Sequence, residues 1–168
     1  ICRGLIEQGN KVEVRIFAPG RLDEPLNCKR SQIYKSVQIY NHAWRWTPAK
    51  RKYQQYFGIA EGLLRTVAAL IRSHKIEPYD YIFFNSNKNF YTLFFFILTK
   101  LFGARLASGL SEYPQIVLSR SKYSIVGRYI RRRTNYLWFD DFLIMTKALI
   151  SYYQPLARRK ARFMHLPM

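Results

Sequence analysis

The sequence predicts a doubly wound α/β domain: a mainly parallel sheet with helices on both faces. Three observations carry this expectation. Short β-rich runs alternate along the chain with apolar segments of helical spacing. The joints between them are short and punctuated by Gly or Pro, as at Gly9-Asn10, Pro19-Gly20 and Gly103. The run Tyr79–Phe84 is apolar throughout but for Asp80, the pattern of a strand buried on both faces of a parallel sheet. Right-handed crossovers between such strands place the helices on both faces.

The elements follow in order. Residues 1–9 read as the tail of a helix, stopped by Gly9-Asn10, and Val12, Val14, Ile16 and Phe17 as a short strand. This helix–Gly–strand junction is half of a βαβ unit, whose preceding strand is not in the chain. Residues 20–31 read as a loop, and Ile33–Tyr40 as a second strand or an irregular connection. After a loop-like Trp44–Lys52, the recurrence of Leu63, Leu64, Val67, Ala68, Leu70 and Ile71 predicts a helix from about Tyr53 to His74. The 79–84 strand leads through Asn85–Asn89 into an apolar helix, Phe90–Phe102, and then the strand Ala104–Gly109. A helix fits 117–136, a strand Asp141–Met145, a helix capped by Thr146 reaches about Ala157, and a last strand covers Arg162–Leu166.

The length of 168 residues suits one domain, and with 49% hydrophobic and 17% aromatic residues it has ample material for a core. No apolar run is long enough for a membrane-spanning helix, since Phe90–Phe102 is short and interrupted by Thr99 and Lys100. Cys2 and Cys28 are too few for a disulfide scaffold and fit a reducing compartment. The balance of 28 Lys+Arg against 10 Asp+Glu, a net charge of +18, points to polyanions: nucleic acid, an anionic membrane surface or phosphorylated ligands.

Several chemistries lack their motifs. There is no phosphate-binding P-loop, no Gly-x-Gly-x-x-Gly fingerprint and no Gly-x-Ser-x-Gly elbow. His42, His74 and His165 are far apart and without ligand-spaced partners, so no metal site is expected. Gly58 and Gly62 have a Gly-x-x-x-Gly spacing that fits ordinary close helix packing.

Ligands of open α/β sheets bind where strands end and helices begin, which singles out three junctions. Asn85, Ser86, Asn87 and Lys88 offer amide, hydroxyl and ammonium groups beside a helix N-terminus, suited to a polar or anionic ligand or simply to a capped turn. Ser111 and Glu112 follow the 104–109 strand, where the Glu112 carboxylate could cap a helix, bind sugar hydroxyls or accept a proton. Thr146 follows the 141–145 strand, and a plain helix cap explains it more simply. A fourth feature is the stretch 113–139. It holds Arg120, Lys122, Arg128, Arg131, Arg132 and Arg133, no acid, and interleaved Ile125, Val126, Tyr129, Ile130, Leu137, Trp138 and Phe139. A basic, apolar helix of this kind fits an anionic membrane surface; apolar residues facing a core explain part of it.

The chain also resembles a known family. Leu5–Val14 is similar to the opening helix–Gly–strand of GT-B glycosyltransferases of the family-four kind. Tyr79–Ser86, the apolar helix after it and Phe102–Leu106 resemble that family's central strand–helix–strand. Leu110–Pro114 sits where such enzymes carry an acceptor loop, Asp140–Leu149 looks like a later strand and helix, and Arg162–Met168 resembles the approach to the second domain. Residues 20–58 match least.

The resemblance implies an amino-terminal Rossmann-like lobe that binds the acceptor. The first strand with its Gly-rich loop, and the carboxy-terminal domain that holds the nucleotide-sugar donor, lie outside the chain. No cofactor is implied, the donor being a substrate. Where the family often has His, this chain has Ser111 and the pair Asn85-Ser86, so Glu112 is the candidate catalytic group and the other junction residues are cleft-lining.

The leading expectation is therefore the acceptor-side half of a glycosyltransferase. It would act on a glycan or lipid-linked cell-envelope acceptor, in the cytoplasm and peripheral to the inner membrane face, and would be inactive as a fragment. The alternative is a basic nucleic-acid-binding α/β module, which the absence of recognised binding motifs disfavours.

Overall fold

The computed structural model describes residues 2–19, 29–47, 50–84, 89–110, 134 and 136–165. The chain forms two compact units, Ile1–Glu77 and Pro78–Met168.

In the first unit, helix α1 (Cys2–Glu7) ends where Gly9 adopts φ +82°, a left-handed stop open to glycine at no steric cost. Strand β1 (Glu13–Ile16) follows at once. The segment around Ile33–Tyr40 is neither one strand nor an irregular connection. It is a hairpin, β2 (Ser31–Tyr34) and β3 (Val37–Asn41), turned at Lys35 and Ser36 with φ of 47° and 67°. Two positive φ values in a two-residue loop are the primed turn whose twist matches the strands. Because neither residue is Gly or Asn, the turn has no compositional signal. The sheet order is β1-β3-β2, with β1 and β3 parallel and β2 antiparallel.

A short 3₁₀ turn, Trp44–Trp46, leads to helix α2 (Lys52–Ile76). The Gln54 side-chain carbonyl accepts from the Lys50 and Arg51 N–H groups at 3.1 and 3.0 Å and fixes the start of the helix. The face of α2 turned inward is made of small groups, Gly58, Gly62 and Thr66, with Leu70 further along. A Cβ at Gly58 would lie 2.7 Å from Trp46 Cβ and 2.9 Å from Pro19 Cγ, and one at Gly62 would collide with the Phe17 carbonyl oxygen. The Gly-x-x-x-Gly spacing thus lets the helix touch the backbone that leaves β1. Arg15 ties the two further along by donating to Ser73 Oγ at 2.8 Å, and Lys11 pairs with Glu77.

The second unit is α/β with a four-stranded, wholly parallel sheet, β4 (Tyr81–Phe83), β5 (Arg105–Leu110), β6 (Asp141–Ile144) and β7 (Arg162–His165), in that order. Helix α3 (Asn89–Leu101) joins β4 to β5 and ends before Gly103 at φ +67°. Helix α4 (Lys147–Tyr153) joins β6 to β7. It stops short of Ala157 and tightens into a 3₁₀ turn at Gln154–Leu156, because Pro155 lacks the N–H that an α-helix needs. Of the helix expected over 117–136, residues 117–133 and 135 lie outside the described residues; Thr134 is helical and Tyr136 already belongs to a turn.

Strand β4 is not buried on both faces. It is an edge strand, and Tyr81 and Phe83 remain 45% exposed. Doubly buried strands sit in the middle of the sheet, where Leu106, Ala107, Phe142 and Ile144 are buried. Around them Phe142 stacks on Phe163 at 5.2 Å and meets Phe139 at 5.5 Å, while Phe84 packs on Phe95 at 4.4 Å. These rings supply the directional part of an otherwise aliphatic core.

Gly62→Ala should lower the stability of the first unit by about 2 kcal/mol, the scale of overpacking against a rigid backbone. Gly4→Ala, where nothing lies within 4 Å, should leave it unchanged or slightly raised. Urea unfolding of both variants checks the contrast, and equal midpoints would refute the close contact.

Candidate functional site

The two edges of the parallel sheet differ in chemistry. At the amino edge, Arg105, Asp141 and Arg162 open β5, β6 and β7. The Asp141 side chain is fully buried and is gripped from both sides. Arg105 donates through Nε to Oδ2 at 2.5 Å and through Nη2 to Oδ1 at 2.9 Å. Arg162 donates through Nε to Oδ1 at 2.7 Å, and its Nη2 also reaches the Tyr81 hydroxyl at 2.7 Å. The neighbouring Asp140 accepts from Lys100 Nζ at 2.8 and 2.9 Å, from Arg158 Nη1 at 3.2 Å and from the Leu106 N–H at 3.0 Å.

Burial alone would push the Asp141 carboxyl up. The hydrogen bonds and charges of Arg105 and Arg162 outweigh it and hold the group below its ordinary value, and the same bonds raise both guanidiniums. Two carboxylates thus engage four cations, which leaves this edge with both aspartates paired and an excess of positive charge. The sequence did carry a signal for this, a charged residue opening each of three adjacent strands, which the reading of junctions at the other edge passes over.

The carboxyl edge is where the predicted junctions depart. Phe84 follows β4, β5 ends at Leu110 and β6 at Ile144, and the register sets Leu110 beside Ile144. The three strands are adjacent and parallel, so the three junctions leave from one edge in consecutive order. Thr146 is exposed and holds the N-cap position of α4, with extended backbone at φ −137° and ψ 142°. Its side chain makes no capping hydrogen bond, so the hydroxyl is not spent on the helix in the way a plain cap would be. Asn85, Ser86, Asn87, Lys88, Ser111 and Glu112 lie outside the described residues, as do Arg120, Lys122, Arg128, Arg131, Arg132 and Arg133.

In the first unit a second polar cluster forms at the end of the parallel pair β1 and β3. Arg15 grips Glu13 at 2.7 and 3.0 Å, lies 4.9 Å from the Tyr40 ring centroid, and its Nη1 is 3.3 Å from His42 Nε2. A hydrogen bond from Arg15 requires an unprotonated Nε2, the tautomer that carries its proton on Nδ1. Burial first, and then the charges of Arg15 and Arg65, hold His42 below its ordinary value. Sequence spacing leaves His42 isolated; the parallel pairing of β1 with β3 gives it a partner 27 residues away. Asn41, buried beside it, uses its side-chain oxygen to accept the Ala43 N–H at 3.0 Å.

Among the described residues no group of three or more His, Cys, Asp or Glu could hold a metal ion, and no helix is long and apolar enough to cross a membrane. No protein-family model, curated protein or solved structure matches the chain.

Two pH effects follow. The unfolded chain protonates Asp141 near its ordinary 3.8, whereas the folded one resists until lower pH, so this stabilisation is complete above that value and drains away as pH falls below it. Asp141→Asn should cost about 3 kcal/mol at neutral pH, as expected when one member of a buried ion pair is removed, and flatten the acid limb. Urea titrations from neutral pH to about pH 2 test this, an unflattened limb being the contrary result. For His42 the unfolded chain takes up a proton near 6.5 and the folded one resists, so the first unit should weaken as pH drops through that range. His42→Gln should remove this slope in thermal melts; a retained slope would assign it elsewhere.

Proposed function

We propose that the chain is the acceptor-side, Rossmann-like lobe of a GT-B glycosyltransferase, whose ligand sits at the carboxyl edge of the parallel sheet. In the full protein it would receive a sugar from a nucleotide-sugar donor onto a glycan or lipid-linked acceptor at a cytoplasmic membrane surface. The observation that supports this reading is that the strands preceding the three polar junctions are adjacent and parallel, so their carboxyl ends share one edge. Open α/β sheets bind ligands at that edge. At the amino edge Asp140 and Asp141 are each already engaged by two cations, so neither carboxylate is available to a sugar hydroxyl. The residue resemblance to family-four enzymes, spread along most of the chain, narrows the class from any α/β binder to this one.

In this reading Glu112 is the group that meets the acceptor hydroxyl, by hydrogen bond or as a base. Asn85, Ser86, Asn87, Lys88, Ser111 and Thr146 line the cleft, with amide and hydroxyl groups matched to sugar hydroxyls and Lys88 to a phosphate. The donor and the transfer step belong mainly to a second lobe, so this chain binds acceptor without turning it over. Arg120, Lys122, Arg128, Arg131, Arg132 and Arg133 hold the lobe against anionic lipid.

The test is acceptor binding by the 168-residue chain, titrated with a polyprenyl-phosphate-linked sugar and with a single-stranded oligonucleotide. Saturable binding of the first, weakened about tenfold by Glu112→Gln, is expected for a lost charge-assisted hydrogen bond. Binding of the oligonucleotide alone, falling steeply with salt, would replace this reading with that of a nucleic-acid-binding module.

A further inference from the structure

Helix α2 inverts the usual arrangement of a surface helix. Its inward face is Gly58, Gly62, Thr66 and Leu70, mostly small groups, and Ile59, Leu63 and Val67 are half-buried. Several large apolar side chains stand on the outer face, Phe57 among them with its ring stacked on Trp46 at 6.3 Å. Tyr53, Tyr56, Phe57, Leu64 and Ile71 are all exposed, Phe57 at 62% and Leu64 at 72%. Phe57, Leu64 and Ile71 recur every seventh residue and Tyr53 precedes Phe57 by one turn, so they share one stripe opposite the glycines. A continuous outward stripe of this kind marks an interaction surface.

The charges around the stripe select the partner. Lys50, Arg51 and Lys52 stand at its start beside Tyr53 and Tyr56, and Arg72 and Lys75 at its far end, all exposed. The one acid of the helix, Glu61, is engaged by Trp46 Nε1 at 2.5 Å and by Arg65 at 2.5 Å. Apolar side chains flanked at both ends by cations, with tyrosines at the polar boundary, match an anionic bilayer surface, into which the rings insert while the ammonium groups meet lipid phosphates. A second copy of the chain matches poorly, because the same cations would face one another in a chain of net charge +18.

We infer that the outward face of α2, from Lys50 to Lys75, is a docking surface for anionic phospholipid bilayers. The inference shares the membrane location with the function proposed above and rests on that reading for nothing else: it uses neither sugar transfer nor the arginines of 120–133.

The test is co-sedimentation of the full chain with vesicles of phosphatidylcholine, alone and mixed with phosphatidylglycerol. The chain should bind the mixed vesicles and leave the neutral ones, in a salt-sensitive manner. The triple variant Phe57→Ser, Leu64→Ser, Ile71→Ser should bind about tenfold more weakly while keeping a cooperative thermal melt, because the replaced side chains are partly or largely exposed. Lys50→Gln with Lys52→Gln should weaken binding and reduce its salt dependence. Full binding by the triple variant would overturn the inference. If Arg131→Gln, Arg132→Gln, Arg133→Gln abolishes binding while the triple variant keeps it, the membrane location stands and the role of α2 falls. No binding by the unaltered chain would remove both. A change of oligomeric state in the triple variant, without a change in vesicle binding, would assign the stripe to a second copy.

Discussion

A carboxylate sealed from water between two guanidiniums ties together the strands on which the rest of the second unit depends. Asp141 opens the central strand β6, Arg105 opens β5 and Arg162 opens β7, so one buried charge joins three neighbours at their first residues. Removing the carboxylate from water is costly, and only the paired N–H donors of Arg105 and Arg162 compensate. That makes the arrangement selective: a shift of register in any of the three strands would part the charges and leave Asp141 unpaired. Asp140 extends the lock to helix α3 through Lys100 and to the approach to β7 through Arg158. Parallel strands brought into line this way also end in line, and their carboxyl ends then present consecutive junctions to one another.

The same ion pairs change the meaning of the chain's charge. A count of +18 suggests basic surface everywhere, yet Lys100, Arg105, Arg158 and Arg162 are committed to two aspartates, and Arg15 to Glu13. The cations left to meet a partner are elsewhere, among them those at the two ends of α2. In the first unit the corresponding constraint is steric: the glycines of α2 admit the Phe17 carbonyl and the Trp46 side chain, and Tyr53, Tyr56, Leu64 and Ile71 stand on the exposed side. Close packing inside and an apolar stripe outside are two consequences of one sequence pattern.

Much of the fold was legible in the sequence because its signals are local. Gly9 and Gly103 stop helices through positive φ, the apolar spacing of α2 and α3 is helical, and the run Asp141–Ile144 is a buried strand. What escaped depends on partners distant in the chain. The Lys35-Ser36 turn has no glycine to announce it, and only its pairing with β3 makes Ser31–Tyr34 a strand. The exposure of Tyr81 and Phe83 follows from the place of β4 at the sheet edge, which composition does not encode. Asp141, Arg105 and Arg162 are spread over 58 positions, and His42 meets Arg15 only through the β1–β3 pairing. Of the predicted site, the strands before the first and third junctions lead into helices α3 and α4, and Thr146 stands at a helix N-cap, while Ser111 and Glu112 lie outside the described residues. The chemistry of the other junction residues rests on residue type and spacing.

The proposed function requires the sheet's two edges to divide their labour, ion pairs engaging the aspartates at one and ligand meeting the other. Chemical-shift mapping of the isotope-labelled chain during titration with a polyprenyl-phosphate-linked sugar tests it most directly. The expected shifts cluster at Phe84, Leu110, Met145 and Thr146 and spare Arg105, Asp141 and Arg162. Shifts concentrated on the arginines and aspartates of the amino edge, with the carboxyl edge silent, would contradict it.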